Sequence, residues 1–188
     1  MRYLSFIFSL VCCILFTACN DPKDKMQHNI QQMQSTPIYI PYSDMACWTE
    51  DSISSIDLCK QAKLKLVHYV DSVQCTTCYL QKVAQYEKLF QLEQETNYRF
   101  VNVFVIAPGS NRKRMLLLDH KDKLLPQMLF VDTAHVFTEK NKTIPSEEIY
   151  HTFLLNENDS VILVGNPVVY PKIAEIFYST VKGRLKIK

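Results

Sequence analysis

Residues 63–90 read KLKLVHYVDSVQCTTCYLQKVAQYEKLF, and this stretch decides the fold. Its first eight residues alternate and then run apolar, which predicts a largely buried strand. Asp71-Ser72 carries turn chemistry. Beyond the two cysteines, Tyr79, Val83, Tyr86 and Phe90 recur at helical spacing and predict one apolar helix face. A strand, a tight loop and an amphipathic helix in this order set Cys75 at the end of the loop. Cys78 then falls in the first turn of the helix.

Working outward, residues 99–106 (RFVNVFVI) predict a second strand, ended by Pro108-Gly109. Residues 113–121 predict a helix and residues 127–131 (QMLFV) a third strand. Residues 151–155 and 161–164 predict two more, joined by Asn156-Glu157-Asn158-Asp159-Ser160, which suits a hairpin. A closing helix is expected over 171–181, opened by Pro171 and ended by Gly183. Alternating strands and helices followed by a hairpin predict an α/β fold, a mixed β-sheet flanked by helices on both faces.

Upstream, residues 37–42 (PIYIPY) suggest a short edge strand broken by prolines. Residues 43–62 read as a loop and a short helix beginning near Ser54 or Ser55. The expected domain is thus 37–188, with 37–62 as an N-terminal extension. Residues 19–36 are polar and read as a flexible tether. Residues 1–18 have the form of a signal peptide: Arg2, an uncharged and mostly apolar run, then Thr17-Ala18 before Cys19. This end resembles the lipobox of bacterial lipoproteins, which implies cleavage before Cys19 and its lipidation. An ordinary secretory signal or an uncleaved anchor is the alternative.

The net charge of +2 comes from scattered charges without a basic stripe, which argues against nucleic acid as a partner. Three glycines are too few for a phosphate-binding Gly-rich loop. Of seven cysteines, Cys12 and Cys13 would leave with the signal peptide and Cys19 would carry lipid. Four remain, an even number that fits disulfide chemistry in an exported protein. Cys47 and Cys59, twelve positions apart, form a candidate structural disulfide; a second redox couple and buried thiols are the alternatives.

Cys75-Thr76-Thr77-Cys78 carries the candidate chemistry. Backbone N–H groups and the dipole at a helix start favour a thiolate, so the first cysteine becomes the nucleophile. Cys78 is spaced to attack the mixed disulfide and release the product. Half of a zinc site and a static disulfide are the bland readings, and no second CxxC or HxxxH completes a zinc site. Asp71 offers a proton acceptor or a plain turn residue, and Tyr150 a cover for the site or a core side chain. His68 reads as a hydrogen-bonded strand residue. Four Asp–Ser/Thr–apolar tripeptides, at 51, 71, 132 and 159, resemble a bacterial O-glycosylation pattern and equally suit turns.

The segments VHYVDSVQCTTC, PQMLFVD and HTFLLNENDSVILVGNP together resemble the thioredoxin superfamily, especially its TlpA/ResA-like lipid-anchored thiol–disulfide oxidoreductases. The resemblance runs over residues 63–182. It implies a thioredoxin-like fold with Cys75 and Cys78 catalytic; Asp71, Gln74 and Tyr150 are candidate supporting residues read from the chain itself. The sequence departs from that pattern in having Gln74 before the first cysteine and Thr-Thr between the two. It also has Ile149-Tyr150 where a cis-proline is usual.

The function so implied is disulfide exchange with exported proteins at the bacterial cell envelope, on its periplasmic or outer-membrane face. A partner protein would donate or accept electrons, with neither cofactor nor metal. A non-catalytic lipoprotein that binds an envelope partner is the alternative. A copper-binding variant would need His120, His135 or His151 to converge on the cysteines.

Overall fold

The computed structural model describes residues 21–47, 52–74, 79, 82–109 and 128–187. Cys19, the Cys75–Cys78 motif, Trp48 and the helix expected over 113–121 lie outside the described residues. In chain order the elements are α1 (Pro22–Gln34), β1 (Ala46–Cys47), α2 (Ser52–Gln61), β2 (Leu64–Val70), α3 (Glu87–Glu95), β3 (Phe100–Ile106), β4 (Leu129–Val131), α4 (Val136–Lys140), β5 (Thr152–Leu155), β6 (Val161–Val164) and α5 (Pro171–Leu185). Short 3-10 turns precede α3 (Val83–Tyr86) and β5 (Glu148–Tyr150).

The six strands form one sheet in the order β1-β4-β3-β2-β5-β6. β2 pairs in parallel with β3 over its whole length and antiparallel with β5, and β6 returns antiparallel beside β5. A strand–helix–strand crossover followed by an antiparallel hairpin and a closing helix is the thioredoxin-like arrangement. The mixed sheet with helices on both faces is as expected from the sequence.

β2 and β3 are buried at every position, because alternate side chains feed two separate cores. Val67, Tyr69, Val103, Phe130 and Phe153 face the layer made by α2, α4 and residues 38–45. Leu64, Leu66, Val70, Phe100 and Phe104 face α3 and α5, where Leu89, Phe177 and Val181 complete the packing. Burying each such side chain contributes about 1.5–3 kcal/mol. Lys65 and His68 are the polar exceptions on β2: the Lys65 side chain is 3% exposed, and its ammonium donates to Asp159 at 2.7 Å.

Several expectations need correction. The tether reading of residues 19–36 gives way to α1. Asp21 accepts the Lys23 N–H at 3.0 Å as N-cap, Pro22 opens the first turn, and Met33 is fully buried. Residues 37–42 are not a strand; the Asn141 side chain pairs both backbone groups of Tyr39, and the Ile38 N–H donates to the Asp159 carbonyl. Gly183 does not end the closing helix, which runs on to Leu185. Lys186 (φ 54°) stops it by turning left-handed. α4 was not anticipated, and Asp132 builds it by accepting the Val136 and Phe137 N–H groups at 3.0 and 2.8 Å.

Candidate functional site

The site begins where β2 ends. Val70 is followed by a turn in which Asp71 Oδ1 accepts the N–H groups of Val73 and Gln74, both at 3.0 Å. Gln74 folds back, and its Oε1 accepts the Asp71 N–H at 2.9 Å. Asp71 thus closes this turn, with its Oδ1 occupied by two backbone donors. The pair closes the loop immediately before Cys75.

A cavity of about 270 Å³ opens at this end of the sheet, with Gln74, Tyr79, Glu148, His151, Asn166 and Tyr170 among its walls. Gln74 and Tyr79 are the neighbours of the Cys75–Cys78 motif on either side. The cavity lies at the C-terminal end of β2 on the side of its antiparallel partner, where Tyr69 of β2 and Thr152 of β5 reach its wall.

Behind the cavity runs a buried polar chain. Asn166 Nδ2 donates to the Tyr86 hydroxyl at 2.9 Å, and the hydroxyls of Tyr79 and Tyr86 lie 3.2 Å apart. Burial drives the Tyr79 phenol well above its ordinary range. His68 meets the Tyr86 ring edge-on and stacks on Phe104 at 4.4 Å. Its Nε2 lies 3.3 Å from Asn102 Oδ1, and Asn102 donates both its backbone N–H and its side-chain amide to Glu93 Oε1. Burial pushes the Glu93 carboxyl up to about 7, against the pull of the Asn102 hydrogen bonds. Burial also lowers His68 to about 3, so it stays neutral.

The sequence reading placed His68 in a hydrogen bond on its strand, and the structure agrees. It missed Glu93 and Asn166. Glu93 was within reach: it falls seven residues after Tyr86, on the apolar stripe of α3, where a charge is out of place. Asn166 had no comparable signal.

Tyr150 does not line the cavity. It is buried in the core on the α2 side of the sheet. No proline stands at 149–151, and no described peptide bond is cis. His151 does reach the cavity wall; its Nε2 lies 3.1 Å from the Pro145 carbonyl, and its ring meets Tyr69 edge-on. His135 lies apart, as the left-handed residue (φ 57°) that opens α4, and His120 is outside the described residues. Among the described residues, no three His, Cys, Asp or Glu side chains group as metal ligands.

Cys47 sits half-buried on β1 and Cys59 is fully buried on α2, with no disulfide between them. Burial, reinforced by the nearby Cys47, pushes the Cys59 thiol up to about 12.

No protein-family model matches the sequence, and no curated protein matches it. Among solved structures, the chain is similar to a thioredoxin-like protein from Bacteroides caccae ATCC 43185. The two share 14% identity with a TM-score of 0.47, over 86% of this chain and 57% of that one. The chain thus spans little more than half the length of that protein.

Proposed function

We propose that the protein is a lipid-anchored thiol–disulfide oxidoreductase of the bacterial cell envelope, with Cys75 as nucleophile and Cys78 as resolving thiol. One observation carries the reading: the residues on either side of the CxxC motif, Gln74 and Tyr79, both line the cavity at the end of the central strand. In the reducing direction, the Cys75 thiolate attacks a sulfur of the substrate disulfide and expels one substrate thiolate. Cys78, once deprotonated, attacks Cys75 Sγ, expels the second thiolate and leaves a Cys75–Cys78 disulfide. Two electrons pass from the protein to its substrate, and a second partner protein must restore them. The oxidising direction is the same path reversed, and neither needs a cofactor.

The test is equilibration of the mature protein in glutathione buffers, with disulfides mapped by mass spectrometry. A reversible Cys75–Cys78 bond, with Cys75 the faster-alkylated thiol, is the expected result. A bond that never forms, or never opens, sinks the catalytic reading. The second reading, a non-catalytic binding protein, then takes its place; it is favoured by Tyr150 packing into the core where related enzymes carry a proline that faces the disulfide.

A further inference from the structure

Beside the redox cavity lies a second concavity of different character. It is a groove of about 330 Å³ between α1, the turn before β5, β6 and the start of α5. Met26, Ile30, Ile149, Tyr150, Val164 and Ile173 make its walls. Gly165 forms part of its floor; its φ of 126° is a conformation that side-chain-bearing residues rarely adopt, and Ile173 lies 3.1 Å from where a Cβ would stand. Its exposed lining is mostly apolar, with Met26, Ile149 and Tyr170 43%, 43% and 45% exposed beside the exposed Lys172; Val169, 58% exposed, adjoins Tyr170 on the wall of the other cavity. A contiguous patch of this kind marks a contact surface.

The position of the patch names its occupant. Only two residues separate Cys19, the expected lipidation site, from Pro22 at the start of α1, an extended reach of about 10 Å. Met26 follows one helical turn later, about 6 Å along the axis. α1 is itself fixed to the domain through Met33 and through Lys25, which donates to Glu147 at 2.7 Å. An acylated Cys19 would therefore hold this groove, in a fixed orientation, within a few residues of the lipid. Among the described residues no helix is long and apolar enough to cross a membrane.

Resting on the lipid anchor of the proposed function, we infer that this face lies against the membrane surface. Met26, Ile149, Val169 and Tyr170 enter the headgroup boundary, with Lys23 and Lys172 at its edge. The neighbouring charges are mixed: Glu147 pairs with Lys25, and Asp24 and Glu148 are exposed next to Lys23 and Ile149 in the sequence. The contact is thus apolar in origin and insensitive to lipid charge. Ile149 and Tyr170 belong to the groove and to the redox cavity alike. The cavity then opens at the lipid surface, toward thiols and disulfides of proteins held there.

The acylated mature protein, reconstituted in phosphatidylcholine vesicles carrying brominated acyl chains, tests this. In a Trp48→Phe background, Tyr170→Trp is compared with Tyr39→Trp, an exposed position past the far end of α1. Quenching at 170 at least twofold stronger than at 39 is the expected result, unchanged when anionic lipid is added. Equal quenching at the two positions, or none at 170, overturns the orientation and leaves the anchor standing. Dimers in the vesicles that disappear with Tyr170→Glu, without quenching at 170, would show a second copy covering the face and overturn it likewise. Intact mass showing an unmodified Cys19 removes the anchor and the proposal together. The glutathione equilibration of Cys75 and Cys78 is independent of all these outcomes.

Discussion

The Asn141 side chain acts toward Tyr39 as a neighbouring strand would: its Oδ1 accepts the Tyr39 N–H and its Nδ2 donates to the Tyr39 carbonyl, both at 2.8 Å. One buried amide thus satisfies a stretch of backbone that has no sheet partner, and it also donates to the Phe137 carbonyl. Asn141→Leu removes these bonds and leaves buried polar groups unpaired, at about 2–3 kcal/mol. Chemical denaturation should show that loss, with hydrogen exchange faster at Tyr39. A variant as stable as the parent would mean that Ile38 and Ile40 alone hold the segment.

Lys65 and Asp159 give a second prediction. The lysine side chain is buried while the aspartate is 41% exposed. Asp159→Asn keeps the shape and tolerates the left-handed φ of 58° at this position, so it isolates the charge. The orphaned ammonium should cost about 2–3 kcal/mol, below the full penalty for a buried pair because water screens the exposed partner. Lys65→Met in the same background should recover most of it.

Glu93 and His68 pull stability in opposite directions with pH. Glu93 has a folded-state pKa of about 7, above its ordinary 4.5. Its contribution is therefore complete below pH 4.5 and is lost as pH rises toward 7. His68 is lowered to about 3 from 6.5, so its contribution is complete above pH 6.5 and is lost on the way down to 3. Between pH 4.5 and 6.5 the two largely cancel. Glu93→Gln keeps an acceptor for Asn102 and should add on the order of 2–3 kcal/mol at pH 8. It should also unmask a rise in stability between pH 3 and 6.5, read from urea midpoints. An unchanged pH profile in that variant would contradict the buried ionisation.

Cys59 is expected to be inert while the chain is folded, since burial leaves only about one thiolate in ten thousand at pH 8. In reduced protein, iodoacetamide should label it only after unfolding. In protein isolated without reductant, a Cys47–Cys59 bridge is the proposed state, read as a linked pair of peptides.

What the sequence made legible follows from where each signal resides. Strands β2 and β3 announce themselves because a buried central strand has to be apolar on both faces. Val161–Val164 stands out because Asn156 to Ser160 spell a hairpin, and Asn156 Oδ1 does accept the Asn158 and Ser160 N–H groups. α1 was lost in a polar composition, although Asp21-Pro22 and the spacing of Met26, Ile30 and Met33 mark a helix start and a narrow apolar stripe. Residues 37–42 could not be read, because the partner of Tyr39 is a side chain 102 positions away. At the site, the CxxC motif is a local signal, whereas the cavity draws Glu148, His151 and Asn166 from a distant part of the chain.

The attachment of the N-terminal arm also sets an order of assembly. Lys25 reaches Glu147, Tyr39 reaches Asn141, and the Ile38 N–H donates to the Asp159 carbonyl at 2.8 Å. Each of these bonds waits for residues made more than a hundred positions later. Domains form as the chain emerges N-terminus first, and contacts of long sequence separation close slowly. The first part of the chain to appear is thus the last to lock, and a chain whose synthesis stops before the hairpin would leave α1 with nothing to hold.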